Sequence, residues 1–131
     1  MEDVCIKETK KTPEIIVKVK EGIIKITGRS LPENVRDFYF PFYENFLKIV
    51  DFWKNESKLE DFEFHVKLGY FNSTSAKYIL DLLYVFISIN ENRYKSAKIY
   101  WYYEKDDFDM KEAGMQMEDL LKQEFEYVEY E

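Results

Sequence analysis

Along this chain, segments whose apolar residues recur at every second position take turns with segments where they recur at every third or fourth. "EIIVKVKEGIIKITG", "DFEFHVKLGY", "SAKIYWYY" and "FEYVEY" carry the two-residue period of strands with one buried face. The segments between them carry the 3.6-residue period of helices packed on one side. Such interleaving leaves few architectures open. Strands that alternate with helices build a largely parallel sheet with the helices laid on it. The expected fold is therefore α/β in the order ββαβαβαβ, an N-terminal hairpin followed by a mostly parallel sheet with packed helices.

The hairpin turns at Glu21-Gly22, with Ile16 or Val17 through Val19 set against Ile24 and Ile26. Residues 1–11 are polar and read as a flexible tail, so the domain is expected over residues 12–131. Ser30 and Glu33 have the spacing of a capping box, with Pro32 in the first turn of the helix they would open. In that helix Val35, Phe38, Tyr39, Phe42, Phe46, Ile49, Val50 and Trp53 form the core stripe, and Pro41 should kink or divide it. A second helix is expected from Thr74 or Ser75 to about Asn92, turning Ile79, Leu82, Leu83, Phe86 and Ile87 inward. A third is expected over residues 107–123, with Met110, Ala113, Met117, Leu120 and Leu121 inward.

Composition narrows the function more than the fold. Eleven Phe and eleven Tyr in 131 residues mark a folded chain, long enough to bury roughly two-thirds of its unfolded surface. A lone cysteine, Cys5, can form no internal disulfide, and no apolar run has the length of a membrane span or the order of a signal peptide. A soluble cytoplasmic protein without membrane insertion is the expectation. The net charge of −7 is uneven: residues 104–131 hold eleven acidic and three basic side chains, the rest fifteen and sixteen. Such a chain lacks the basic footprint of a nucleic-acid binder.

Catalytic constellations are scarce. The single histidine, His65, alternates to the face opposite Phe64 and Val66, as an ordinary strand residue would. One His and one Cys cannot assemble a zinc site of the usual kind, and no phosphate loop or nucleophile elbow occurs. The acidic run Glu104, Asp106, Asp107 and Asp109 lacks the glycine and distal glutamate of a calcium loop. Asp107 or Asp109 serves better as a helix N-cap. No enzyme, metal or cofactor is expected.

The turn "FNSTSAK", residues 71–77, is the segment that asks for more. A cap requires one of Asn72, Ser73, Thr74 and Ser75, and here are four. Helix N-termini offer unpaired N–H donors and a partial positive charge, so a phosphate on one of these hydroxyls would be supported locally, with Lys77 one turn on. Capping alone and phosphate acceptance both fit the residues. Nearby, Phe40, Tyr43 and Leu47 form a second apolar line on the first helix, and Tyr78 widens the apolar face of the second. Residues beyond what one core can hide would form a partner surface.

Five separated stretches carry a resemblance: "TPEI" at 12–15, "GRSLPEN" at 28–34, "YFNSTSAK" at 70–77, "WYYEKDD" at 101–107 and "DMKEAG" at 109–114. In order and spacing the chain resembles the SiaC-type regulatory phosphoproteins, small bacterial single-domain proteins with a STAS-like, anti-sigma factor antagonist-like fold. The resemblance implies a non-enzymatic partner switch in c-di-GMP signalling. A histidine-kinase-like Ser/Thr protein kinase would phosphorylate the turn, and a metal-dependent Ser/Thr phosphatase would reverse it. The unphosphorylated form would bind and activate an effector, a diguanylate cyclase. By position the acceptor is Ser73, where the family carries Thr, with Thr74 the alternative; Asn72, Thr74, Ser75 and Lys77 would support the phosphate. A constitutive adaptor, or an antagonist-like switch with a different target, are the other readings.

Overall fold

The computed structural model describes residues 1–131. Six strands form one sheet in sequential order. They are β1 (Val4–Ile6), β2 (Glu14–Lys18), β3 (Ile23–Ser30), β4 (Asp61–Phe71), β5 (Ser96–Glu104) and β6 (Phe125–Tyr130). β1 to β3 run antiparallel as a meander, and β3 to β6 are parallel. The crossovers are α1 (Val35–Asn55), α2 (Ser73–Ile87) with a short 3-10 turn after it, and α3 (Phe108–Leu121).

From β2 to β6 the buried residues of each strand lie on the same face of the sheet. Ile15 and Val17, Ile24 and Ile26, alternate residues from Phe62 through Phe64 and Val66 to Leu68, then Ala97, Ile99, Trp101 and Phe125 turn toward the helices. The other face carries Lys25, His65, Lys67, Tyr100 and Tyr102 and stays partly open to solvent. All three helices therefore lie on one side, as sequential parallel crossovers of one hand require. An aromatic column fills the space between the layers: Phe46 meets Phe64 edge-on at 6.1 Å, Phe86 lies 5.4 Å from Phe64, and Trp53 5.3 Å from Phe62. No helix is long and apolar enough to cross a membrane.

Four expectations are corrected. The first residues are not simply a tail: Val4–Ile6 form an edge strand paired with Val17, Ile16 and Ile15, so the order begins with three strands. Val4 and Ile6 pack on the core, which a polar average over the segment conceals. Second, Ser30 and Glu33 make no capping box. Ser30 ends β3 fully buried, and Asn34 caps α1, its side chain accepting from the Asp37 N–H at 3.0 Å. Third, α1 runs unbroken through Pro41, which sits on the exposed face of its second turn. The missing N–H orphans only the Asp37 carbonyl, also on an exposed residue where water can replace it. Fourth, α3 buries Met110, Gly114 and Met117, whereas Leu120 is 70% exposed.

The end of β4 decides where α2 begins. Gly28 pairs with Leu68 but Arg29 pairs with Tyr70, so Gly69 is an extra residue in β4. One extra residue inverts the parity beyond it. Phe71 therefore returns to the helix side, opposite Ser30, and Tyr70 stays 46% exposed on the other. The chain enters α2 at once, with Asn72 N–H bonded to the Ser30 carbonyl at 3.0 Å.

Candidate functional site, the first turn of α2

Asn72 is the N-cap. Its backbone is extended, and its side-chain oxygen accepts from the Ser75 N–H at 2.9 Å while its carbonyl accepts from Ala76. Of the first-turn amides, those of Ser73 and Thr74 are left without a partner in the helix. The first turn of α2 has no acidic residue, whereas α1 and α3 have Asp37 and Asp109.

The four polar residues divide into different roles. Ser75 is fully buried, and its hydroxyl donates to the Ser30 carbonyl at 3.1 Å. The Ser30 hydroxyl donates to Ser75 Oγ at 2.9 Å and lies 2.5 Å from Tyr39 Oη. Each hydroxyl has one proton, so the assignment closes: Tyr39 donates to Ser30, Ser30 to Ser75, and Ser75 to the Ser30 carbonyl. This chain ties α1, β3 and α2 together with no buried polar side-chain atom unpaired. Burial pushes the Tyr39 phenol up to about 12, and its bonds to the two serines only partly offset this. Tyr39 also stacks on Tyr78 at 5.5 Å.

Ser73 and Thr74 are exposed. Thr74 donates a long bond, 3.3 Å, to the Asn72 side chain. At about 100° per residue, Ser73 and Lys77 lie about 40° apart on the helix, and Thr74 and Tyr78 form the neighbouring line. Lys77 is exposed and lines a groove shared with α3, while Tyr78 faces α1. The two candidate hydroxyls thus belong to different surfaces.

Of the side chains expected to meet a partner, Phe40, Tyr43 and Tyr78 are half-buried, Phe40 beneath the Arg36 guanidinium at 4.8 Å and the tyrosines against the core. Leu47 is 42% exposed, in a shallow pocket with Met1 and Phe52. His65 is engaged on the open sheet face: Nδ1 lies 2.8 Å from Tyr102 Oη, Nε2 lies 2.7 Å from Glu63, and the ring stacks on Tyr100. Asp107 caps α3, accepting from the Met110 N–H at 3.0 Å. No group of three His, Cys, Asp or Glu is placed to hold a metal ion.

Sequence reasoning missed Ser30 and Tyr39 as members of this site. The signal was present in the parity of β3, where Ser30 falls on the same alternation as the buried Ile24 and Ile26.

Comparison with curated proteins finds no match. Among solved structures, apo-SiaC from Pseudomonas aeruginosa superposes with a TM-score of 0.79 at 20% identity, covering 100% of both chains. A second crystal structure, of the diguanylate cyclase SiaD in complex with its activator SiaC from the same organism, gives 0.80 at 19% identity over 98% of each chain. These likenesses establish the fold. The model of the SiaC family regulatory phosphoproteins matches residues 6–130, from β1 to the last residue of β6. The chain belongs to the SiaC family of regulatory phosphoproteins.

Proposed function

We propose that this protein is a non-enzymatic partner switch, phosphorylated on Ser73, whose unmodified form binds and activates a diguanylate cyclase. The observation that carries the assignment is the division of labour within the turn. Ser75 is locked into the core, whereas Ser73 presents a free hydroxyl at the first helical position beside unpaired N–H groups. Thr74, the alternative acceptor, is exposed as well but already donates to Asn72. A phosphate on Ser73 would carry about −1.5 to −2 charges at neutral pH. The N-terminal dipole and Lys77 would support it, so the modification costs the fold little and alters mainly what a partner meets.

The activator role borne by SiaC in its complex with SiaD supports a cyclase as the effector. A histidine-kinase-like Ser/Thr kinase would write the mark and a metal-dependent phosphatase would remove it. The test is incubation of the full chain with a histidine-kinase-like Ser/Thr protein kinase of the same organism and ATP, followed by peptide mass spectrometry. Phosphate on Ser73 is expected. Phosphate on Thr74 would move the acceptor by one residue, and an unmodified turn would overturn the switch. In calorimetry against the cyclase, Ser73→Ala should bind as the wild type does and Ser73→Asp more weakly.

A further inference from the structure

The helices cover one face of the sheet, and the ladders align the side chains of the other face into rows. Lys25, His65, Tyr100 and Glu126 form one row across β3 to β6, and Ile23, Glu63 and Lys98 form the row two residues earlier. His65 and Tyr100 stack at 4.6 Å in the middle of this face, with Tyr102 tilted against His65, and all three are half-buried. Lys25, Lys98 and Glu126 stand exposed around them and form no ion pair within the chain. An aromatic centre inside a charged rim is the make-up of a protein interface.

We propose that two copies of this chain meet here, sheet against sheet, about a two-fold axis that runs along the strands between β4 and β5. The order of the charges selects both the occupant and the axis. Sheets packed face to face keep their strands aligned to within about 30°. A two-fold axis along the strands then lays β3 of one copy over β6 of the second, and β4 over β5. Lys25 meets Glu126 of the second copy, Glu63 meets Lys98, and His65 meets Tyr100, each contact being made twice. An axis across the strands, along the same row, would set Lys25 on Lys25 and Glu126 on Glu126, which like charges forbid. Of the other charges, Asp61 falls over Ser96, and Lys67 is folded over its own Tyr102 and Tyr130 rings at 5.9 and 4.6 Å. Glu14 and Lys18, on β2, lie outside the overlap, and Glu104 lies at its far end. The overlap is roughly 20 by 20 Å and would bury on the order of 1,000 Å² in all, the lower end for a specific interface, so the dimer is a reversible one. The helices lie on the outer sides of the pair, and the exposed Ser73 stays accessible in both copies.

The test is sedimentation equilibrium of the full chain from micromolar to millimolar concentration. A monomer–dimer equilibrium is expected, and it should weaken as salt rises. Lys25→Glu and Glu126→Lys should each weaken dimerisation about tenfold or more, and the double variant, which restores both pairs in reverse, should recover it. Glu126→Lys reduces the net negative charge of the chain, so a general easing of repulsion would strengthen association where the specific pair requires a loss. Lys48→Glu, the same change of charge on the exposed side of α1, should have no such effect. Circular dichroism separates a folding defect from lost association. A wild type that is monomeric throughout overturns the proposal and leaves the face to a different chain. A dimer that both single variants keep at wild-type strength, or that the double variant fails to recover, overturns it as well.

Discussion

Gly114 lies against the indole of Trp101 so closely that a Cβ built on it would stand 2.6 Å from the ring's Cδ1. The ring has nowhere to retreat. Its Nε1 donates to the Met110 carbonyl at 2.9 Å, and its faces meet Phe125 and Phe71 at 6.0 and 6.1 Å. The "KEAG" stretch of α3 thus sets how deep this helix sits on β5, and with it the position of one wall of the groove beside α2.

Gly114→Ala should therefore destabilise the protein even though alanine favours helix. The propensity gain is about 1 kcal/mol. Forcing a methyl into a packed ring contact costs about 1–3 kcal/mol. A lower urea midpoint at unchanged m-value is the expected result. A midpoint at or above that of the wild type would show that α3 can lift off Trp101 at no cost.

The buried hydroxyl chain gives a pH signature. The folded protein holds the Tyr39 proton up to about 12, while the unfolded chain releases it near the ordinary value of 10.0. Between those values the unfolded state binds fewer protons, so stability falls as pH rises. Below pH 10 the contribution is fully present. Two pKa units correspond to about 2.7 kcal/mol. Other tyrosines are raised too, so the measurement is the difference between wild type and Tyr39→Phe. Tyr39→Phe should lose about 1 kcal/mol at neutral pH and show a shallower decline between pH 10 and 12.

Periodicity made most of this fold legible. The parity of Phe62, Phe64, Val66 and Leu68 and the stripe from Tyr39 to Trp53 both stand as the pattern implied. What periodicity could not supply were facts about particular neighbours. Val4–Ile6 become a strand because β2 has a free edge, which no local average over a polar segment reveals. Leu120 reads as inward because the apolar stripe of α3 is continuous, yet Gly114 takes the place nearest the sheet and turns Leu120 out. At the site, four hydroxyl and amide residues were visible as one cluster. Their division into a cap, two exposed hydroxyls and one buried one depends on Ser30 and Tyr39, which are remote in sequence and brought close by the Gly69 bulge.

The start of α1 separates two spellings of a cap. Glu33 is exposed and pairs only with Lys11, whereas Asn34 accepts from the Asp37 N–H. Glu33→Ala should change stability by less than about 0.5 kcal/mol, as a surface substitution does. Asn34→Ala should cost about 1 kcal/mol. Paired thermal melts of the two variants check this; the reverse ranking would restore Glu33 as the cap partner.

Ser73 offers a reading of phosphorylation that needs no partner. The first turn of α2 has two N–H groups unpaired in the helix and no acidic side chain, so beyond the neutral Asn72 cap no protein charge answers its partial positive end. A negative charge at position 73 should stabilise the helix start. Ser73→Asp should exceed Ser73→Ala by about 0.3–1 kcal/mol at low ionic strength, with the gap closing as salt rises. Amide exchange at Ser73 and Thr74 should slow in the same variant. If Ser73→Asp is the less stable of the two at low salt, the turn repels the charge that a phosphate would bring, and the acceptor must be sought at Thr74.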